Sequence, residues 1–182
     1  YEQNLQNKNQ RPDSVHWFGT DMAGRDLFTR AWYGARISLF IGFMAALIDF
    51  VVGVIYGGIS GFKGGRVDNI MMRIGEVLYS IPYLLMVILL MVVLGGGLWT
   101  MILAMTITGW IPMARLVRGQ VLQLKENEYV QASNAFGADI WWILRKHLIP
   151  NTMGPILVNL TLTVPQAIFS EATLSYLGLG IP

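Results

Sequence analysis

Four long apolar segments constrain this chain more than any other feature of its sequence. A helix needs about 20 predominantly apolar residues to cross roughly 30 Å of bilayer hydrocarbon, and each segment comes close to that length or exceeds it. The shortest reaches it only if the helix continues beyond residue 169. The sequence therefore predicts an all-α, polytopic membrane protein with spans at about residues 37–59, 74–94, 98–117 and 153–169.

The composition supports a membrane protein and excludes several classes of site. Hydrophobic residues make up 54% of the 182 residues and charged residues only 13%, which is far too apolar for a soluble domain of this size. The absence of cysteine excludes disulfides, thiolate metal sites and a cysteine nucleophile. Two histidines, His16 and His147, argue against a histidine-rich metal centre, and a net charge of +2 argues against a nucleic-acid partner.

The basic residues predict how the chain is oriented in the membrane. Eight of the 13 lie in two segments between spans or within three residues of them, and the positive-inside rule places such segments in the cytoplasm. They are Lys63, Arg66, Arg73, Arg115, Arg118, Lys125, Arg145 and Lys146. The N-terminal arm then lies outside, although its five basic residues oppose the rule. We therefore expect an external polar arm at residues 1–36 and a transmembrane domain at residues 37–182.

The segment 119–151, between the third and fourth predicted spans, is typical of a helical elbow. Gly137 can adopt the left-handed conformation that closes one short helix, and Asp139 can cap the next. Pro150 suits the first turn of the span that follows. The elbow could dock into a partner, with small residues permitting close approach and Phe136 as an anchor. Its many aromatic residues would also suit an interfacial helix resting on the bilayer.

The spacing within this elbow resembles the EAA loop of ABC-importer permeases. Gln131-Ala-Ser lies six positions before Gly137, and His147-Leu-Ile-Pro follows after nine intervening residues. Gln131 stands where that family usually has Glu, and Ser133 where it has Ala. The resemblance implies a type I ABC-importer transmembrane fold in which the elbow is a coupling helix seated in a groove of an ATP-binding subunit. The coupling residues that it implies are Gln131, Ala132, Ser133, Ala135, Phe136, Gly137, His147, Ile149 and Pro150.

The external arm carries a second resemblance, to the dipeptide, oligopeptide and nickel branch of these permeases. The residues that carry it run from His16 to Asp26, His-Trp-Phe-Gly-Thr-Asp-Met-Ala-Gly-Arg-Asp. Glycines there allow tight turns, and acidic and basic side chains can pair across them. The arm is either a folded polar cap that orients the helices or a surface that contacts substrate or a binding protein. Its candidate residues are Gly19, Thr20, Asp21, Gly24, Arg25 and Asp26.

Asp49 lies in the middle of the first predicted span, where a carboxylate is unfavourable and usually faces protein or water. It is a candidate for the lining of a translocation path, favourable to a peptide amino terminus or a metal cation. The alternative is a hydrogen-bonded anchor between helices. Gly53 and Gly57 form a small-xxx-small pair suited to close helix packing. Four prolines are predicted to kink the spans: Pro82, Pro112, Pro155 and Pro165.

Together the resemblances imply the C-type permease subunit of a peptide-type ABC importer in the inner or plasma membrane. We expect no enzymatic activity and no cofactor on this chain, because it lacks a Gly-x-x-x-x-Gly-Lys-Ser/Thr phosphate loop. ATP and Mg would bind two partner ATPase subunits. The other expected partners are a second, homologous permease, an extracytoplasmic binding protein and the lipid bilayer.

Three alternatives remain open from the sequence: a nickel or metal-chelate importer, an ion-coupled transporter or channel that uses Asp49, and, more weakly, an integral-membrane enzyme. The sequence begins at Tyr1 without a methionine and ends at Gly-Ile-Pro. We therefore expect it to be an excerpt of a longer protein, with a further span at each end.

Overall fold

A computed structural model describes residues 4–180, and within them every regular element is helical. The predicted all-α class is confirmed. Residues 1–3 of the predicted arm and 181–182 of the predicted transmembrane domain lie outside the described residues. The α-helices are α1 (Leu27–Lys63), α2 (Gly65–Tyr79), α3 (Tyr83–Leu94), α4 (Leu98–Leu124), α5 (Glu128–Ala135), α6 (Ile140–Ile143) and α7 (Ile149–Leu174). A short 3-10 helix covers Leu5–Asn7, and π-helical segments cover Leu144–Leu148 and Ser175–Leu179.

The chain divides into two compact units, residues 1–40 and 41–182, and the division falls inside α1. The first unit holds the polar arm and the first part of α1. The second unit holds the rest of α1 and all the following helices. It also contains both hydrophobic clusters and the cavity described below.

α1 is longer than the span predicted at 37–59, because its start is set by a cap and not by hydropathy. The carboxylate of Asp26 accepts hydrogen bonds from the backbone N–H and the hydroxyl of Thr29, both at 2.7 Å. This is the arrangement of a helix N-cap. The helix ends after Lys63, where Gly64 and Gly65 both have positive φ, 62° and 54°. A cation in the last turn also interacts favourably with the helix dipole.

The second predicted span, 74–94, is two helices and not one. Helix begins nine residues earlier than predicted, at Gly65, and α2 and α3 are bent by 78° at residues 80–82. Pro82 lacks the N–H that a continuous helix would need. Within residues 4–180, three helical runs are therefore long and apolar enough to cross a membrane, and a fourth crossing requires the bent pair to act as one span.

α4 and α7 continue through their internal prolines, Pro112 in the first and Pro155 and Pro165 in the second. Helix also runs on from α6 through the π-helical segment Leu144–Leu148 into α7. Pro150 thus stands at the start of α7 but within an unbroken helical run, so it does not separate the elbow from the fourth span. The long run from Ile140 to Leu179 joins the two mechanically.

The second unit has two hydrophobic clusters, which we call the upper and the lower core. The upper core is built from α1, α3, α4 and the second half of α7, with Ile41, Val87, Met101 and Leu174 almost fully buried. The lower core is built from α1, α4, the elbow and the first half of α7. Its most buried members are Met113, Val117, Val121, Ile143, Leu148 and Ile156.

A stripe of glycines on α1 packs directly against α4. A Cβ atom at Gly53 would lie 2.6 Å from Cβ of Met113, and one at Gly57 would collide with the backbone carbonyl of Ala114. Gly61 continues the stripe against Arg118 and Val121. The small-xxx-small pair therefore brings two helix backbones into contact.

Candidate functional site

A cavity of about 540 Å³ lies between the upper and the lower core. The order of residues along each helix shows this position. On α1, Asp49 falls between Ala45 of the upper core and Val54 of the lower core. On α4, Gly109 falls between Met105 and Met113 in the same way. The cavity thus occupies the middle of the helices, where their two packed ends leave space between them.

Asp49 is buried at the wall of this cavity, with 6% of its surface exposed. Its Oδ1 atom makes no hydrogen bond to any of the described residues. The carboxylate lies against α4 because the facing residue is glycine: a Cβ atom at Gly109 would stand 2.7 Å from Oδ2. The structure thus brings the predicted path residue to the wall of a cavity and leaves its Oδ1 atom without the hydrogen bond that an interhelical anchor would make.

The rest of the wall is neutral, with both apolar and polar side chains. Pro82 and Tyr83, at the break between α2 and α3, line one part, and α7 contributes amides and hydroxyls. Among the residues that the structure describes, Asp49 is the only charged one in the lining. The neutral polar side chains of the lining are Tyr79, Ser80, Tyr83, Thr108, Asn159, Thr163, Gln166 and Ser170.

The elbow has the two-helix geometry predicted for it. Gly137 has φ 80° and donates its N–H to the carbonyl of Asn134 at 3.0 Å, which closes α5. The carboxylate of Asp139 accepts the N–H of Trp141 at 3.0 Å, which caps α6. Local sequence is sufficient for both features, because each depends on the conformation or side chain of one residue.

His147 holds the two halves of the elbow together. Its Nε2 atom lies 3.3 Å from the hydroxyl oxygen of Ser133, so two of the predicted coupling residues meet. Its ring also packs against Tyr129 and Trp142, with centroid separations of 5.5 and 5.1 Å. Val130 anchors the inner face of α5 in the lower core.

The outer face of the elbow is exposed. Phe136 is 91% exposed at the tip of α5, and the neighbouring coupling residues Gln131, Ala132 and Ala135 are also exposed. Gln131 donates its side-chain N–H to the carbonyl of Glu126 at 3.0 Å. Of the remaining predicted residues, Ile149 is half-buried against the lower core and Pro150 is exposed.

In the first unit, Asp21 organises the polar arm. Its carboxylate accepts the backbone N–H groups of Ala23 and Arg25, at 2.8 and 2.9 Å, and side-chain N–H groups of Arg25 and Arg30, at 2.9 and 2.5 Å. These bonds, with that from the Arg25 backbone foremost, lower the pKa of Asp21 from its usual 3.8 to about 2. Asp21 thus bridges the loop and the first turn of α1.

The other predicted arm residues also build the arm's own structure. Gly19 and Gly24 have φ of 75° and 70°, and a side chain at either would collide with backbone of residues 4–12. The Thr20 hydroxyl donates to the carbonyl of Asn7 and accepts the N–H of Gln10. Asp26 caps α1 and contacts His16 at 3.2 Å, and its bonds to Thr29 lower its pKa. This geometry accords with a folded polar cap.

Comparison with known proteins identifies the family. The model of the family described as "Binding-protein-dependent transport system inner membrane component" matches residues 51–182. This chain belongs to that family. It is a multi-pass protein of the cell membrane.

Two relatives of this chain come from Bacillus subtilis (strain 168). The chain is 67% identical over 179 residues to a dipeptide transport system permease protein, a match that covers 98% of the chain and 56% of the relative. It is 65% identical over 179 residues to an oligopeptide transport system permease protein, covering 98% of the chain and 59% of the relative. The chain thus spans little more than half the length of these curated relatives.

A solved structure shows the same fold. The chain superimposes on the MetNI methionine ABC transporter in an inward-facing conformation with a TM-score of 0.68 and 22% identity. The match covers 83% of this chain and 76% of that one. The predicted type I importer fold is confirmed at the level of the fold.

An ion pair between a buried aspartate and a partly exposed arginine could not be predicted from the sequence of this transport component. Arg118 on α4 donates two hydrogen bonds to the carboxylate of Asp68 on α2, at 2.5 and 2.6 Å, and the hydroxyl of Ser60 on α1 donates a third at 2.5 Å. Lys125 adds a bond to the carbonyl of Gly61 at 3.1 Å. The signal in the sequence was a single acid within an otherwise basic segment, but its partner lies 50 residues away.

Proposed function

We propose that this chain forms the core of a permease subunit in an ATP-driven importer of peptides. The observation that carries the proposal is 67% identity over 179 residues to a protein named as a dipeptide transport permease. The family description, a component of binding-protein-dependent transport systems, supports the same assignment. An external binding protein would deliver the peptide, and a second, homologous permease would complete the path.

In this proposal the elbow couples the path to ATP hydrolysis on separate subunits. Its exposed outer face offers small residues for close approach and Phe136 as an anchor for a groove. The inner face is fixed by Val130 and by the contact between His147 and Ser133. A force applied at α5 would therefore move the elbow as one piece.

The elbow is also connected to the cavity. Helix continues from α6 through the π-helical segment into α7, and α7 carries Asn159 and Thr163 of the cavity wall. Closure of the ATP-binding subunits would tilt or shift this run and change the access to the cavity. In this proposal the helical run from α6 to α7 has two conformations. Nucleotide shifts the balance between them at one end, and the loaded binding protein shifts it at the other.

Other substrates and mechanisms are less well supported. The relatives named above carry dipeptides and oligopeptides, which disfavours a nickel chelate. In the part of the chain that the structure describes, no group of three or more His, Cys, Asp or Glu side chains could hold a metal ion. An ion-coupled transporter would use Asp49 and would work without ATP.

Uptake by the reconstituted transporter tests the class. The permease pair, its ATP-binding subunits and the binding protein would be placed in proteoliposomes with radiolabelled dialanine. We expect uptake with ATP and none with a non-hydrolysable analogue. Equal uptake with either nucleotide, or uptake driven by an ion gradient alone, would contradict the proposal.

Crosslinking tests the elbow. The Ala132→Cys variant should crosslink to the ATP-binding subunit, in a way that changes with ATP, because Ala132 is exposed on α5. The Gly96→Cys variant is the matched control, being exposed in the turn between α3 and α4 that we predict to lie outside. Labelling of the Ala132→Cys variant by a lipid-phase probe without any crosslink would make the elbow an interfacial helix.

A further inference from the structure

We propose that Asp49 is the binding group for the terminal ammonium of the transported peptide, held within the central cavity. The proposal rests on the proposed function for the class of substrate. It adds which residue recognises the peptide and which part of the peptide is recognised. It stands on the geometry of the carboxylate, the charge of the cavity and the size of the cavity.

The first argument is a comparison of two aspartates in the same helical bundle. Asp68 and Asp49 are buried to the same degree, 5% and 6% exposed. Asp68 accepts two hydrogen bonds from Arg118 and one from Ser60. Oδ1 of Asp49 accepts none from any described residue. A buried polar atom without a partner is unfavourable by roughly 1–3 kcal/mol, and by more if it is charged. A purely structural aspartate would resemble Asp68.

The second argument is that a cation entering the cavity can supply the missing partner. Asp49 is the only charged residue among the described residues of the lining, so the cavity has an uncompensated acidic group. A primary ammonium carries a positive charge and three N–H donors. It can bind Asp49 and still donate to a neutral oxygen of the wall, such as that of Thr108 or Asn159.

The third argument concerns the rest of the ligand. A volume of about 540 Å³ lies within the usual range of small-molecule sites, roughly 300–1,000 Å³. Side-chain amides of Asn159 and Gln166 can both donate to and accept from peptide groups, and they do not select one side chain. A single carboxylate without further acidic or histidine ligands is a poor metal site. A short peptide with a free amino terminus fits this set of groups better than a metal ion.

Protection of an engineered thiol tests the inference without depending on transport. The assembled transporter in nanodiscs would carry the Thr163→Cys variant, because Thr163 lines the cavity and this chain has no cysteine of its own. The rate of maleimide labelling would be measured with dialanine and with N-acetyl-dialanine. The two probes differ mainly in the charge of the amino terminus.

We expect dialanine to slow the labelling at a concentration at least about tenfold lower than N-acetyl-dialanine, since a hydrogen bond between charged groups contributes roughly 1.5–3 kcal/mol. Adding the Asp49→Asn substitution should abolish this difference. Adding Gln166→Leu is the matched control, because it changes the same wall without changing its charge. It should weaken the binding of both peptides and preserve the ratio of the concentrations at which they slow the labelling.

The inference would be overturned if the two peptides protected the Thr163→Cys protein equally, or if neither peptide protected it. This comparison does not need the Asp49→Asn variant, so it remains valid even if that variant fails to assemble. Uptake of dialanine that depends on ATP, without selective protection, would leave the proposed function intact and remove Asp49 from recognition. Selective protection without ATP-driven uptake would support Asp49 as the binding group and contradict the proposed function.

Discussion

Removing Arg118 should destabilise the helical bundle by about 3 kcal/mol. Arg118 donates two hydrogen bonds of 2.5 and 2.6 Å to Asp68, whose side chain is only 8% exposed. Bonds between charged groups contribute roughly 1.5–3 kcal/mol each, so two give about 3–6 kcal/mol. Arg118 itself is 32% exposed, and water near it would partly solvate the abandoned carboxylate. The lower end of the range is therefore expected, in line with about 3–5 kcal/mol for breaking a buried pair.

The assay is equilibrium unfolding of the purified protein in mixed micelles, titrated with SDS and followed by tryptophan fluorescence. The Arg118→Ala and Asp68→Ala variants and their combination form a double-mutant cycle, in which we expect a coupling energy of about 2–3 kcal/mol. The matched control is Arg73→Ala on α2. Arg73 contacts Glu76 at 3.3 Å, but their side chains are 79% and 54% exposed, so its loss should change the free energy of unfolding by at most about 0.5 kcal/mol.

Two results would refute this reasoning. One is an Arg118→Ala variant whose free energy of unfolding lies within about 1 kcal/mol of the Arg73→Ala control. The other is a coupling energy near zero, which would mean that Arg118 and Asp68 contribute independently. Either would show that the contact between α2 and α4 does not depend on the ion pair.

Three further predictions concern other contacts. Gly57→Ala should lower the free energy of unfolding by about 1–3 kcal/mol, because the new Cβ collides with the carbonyl of Ala114. Its control is Gly119→Ala, which has open space around it and should leave the free energy of unfolding unchanged or raise it by up to about 1 kcal/mol. The pKa of Asp21 is lowered from 3.8 to about 2, so the bonds of its carboxylate should stabilise the arm fully above pH 4 and lose that effect between pH 4 and 2. Hydrogen exchange of the arm, measured against pH, tests this loss of stability. An Asp21→Asn variant with the same pH profile as the unchanged protein would contradict the prediction. His147→Ala should increase the hydrogen exchange of α5 at least severalfold, because α5 loses a hydrogen bond and an aromatic contact with the π-helical segment; unchanged exchange would mean that Val130 alone holds the elbow.

Features that depend on a few neighbouring residues could be predicted from the sequence. The all-helical class follows from apolar runs long enough to cross a bilayer. The turn at Gly137 and the cap at Asp139 were predicted correctly, because a positive φ and a side chain beside an N–H are local properties. The ends of the helices were less accurate. Hydropathy decides which residues sit in hydrocarbon, while caps and glycines decide where the helix begins and ends.

The site depends on how the helices are rotated about their axes, which hydropathy does not contain. The sequence placed Asp49 in the middle of a span, but it left open both a path lining and an anchor. The structure shows a cavity and an unpaired Oδ1, while Asp68 takes the role of anchor through Arg118, 50 residues away. It also shows that Ser133 meets His147 across the elbow.

The sequence by itself therefore determined that this chain is helical, lies in a membrane and carries an elbow between its third and fourth spans. These properties depend on the hydropathy and the turn-forming residues of short, continuous stretches of the sequence. Only the tertiary structure decided which acid is paired, where the helices leave a cavity and how the elbow is joined to α7. Those properties arise when side chains that are distant in the sequence compete for the same partners and the same space.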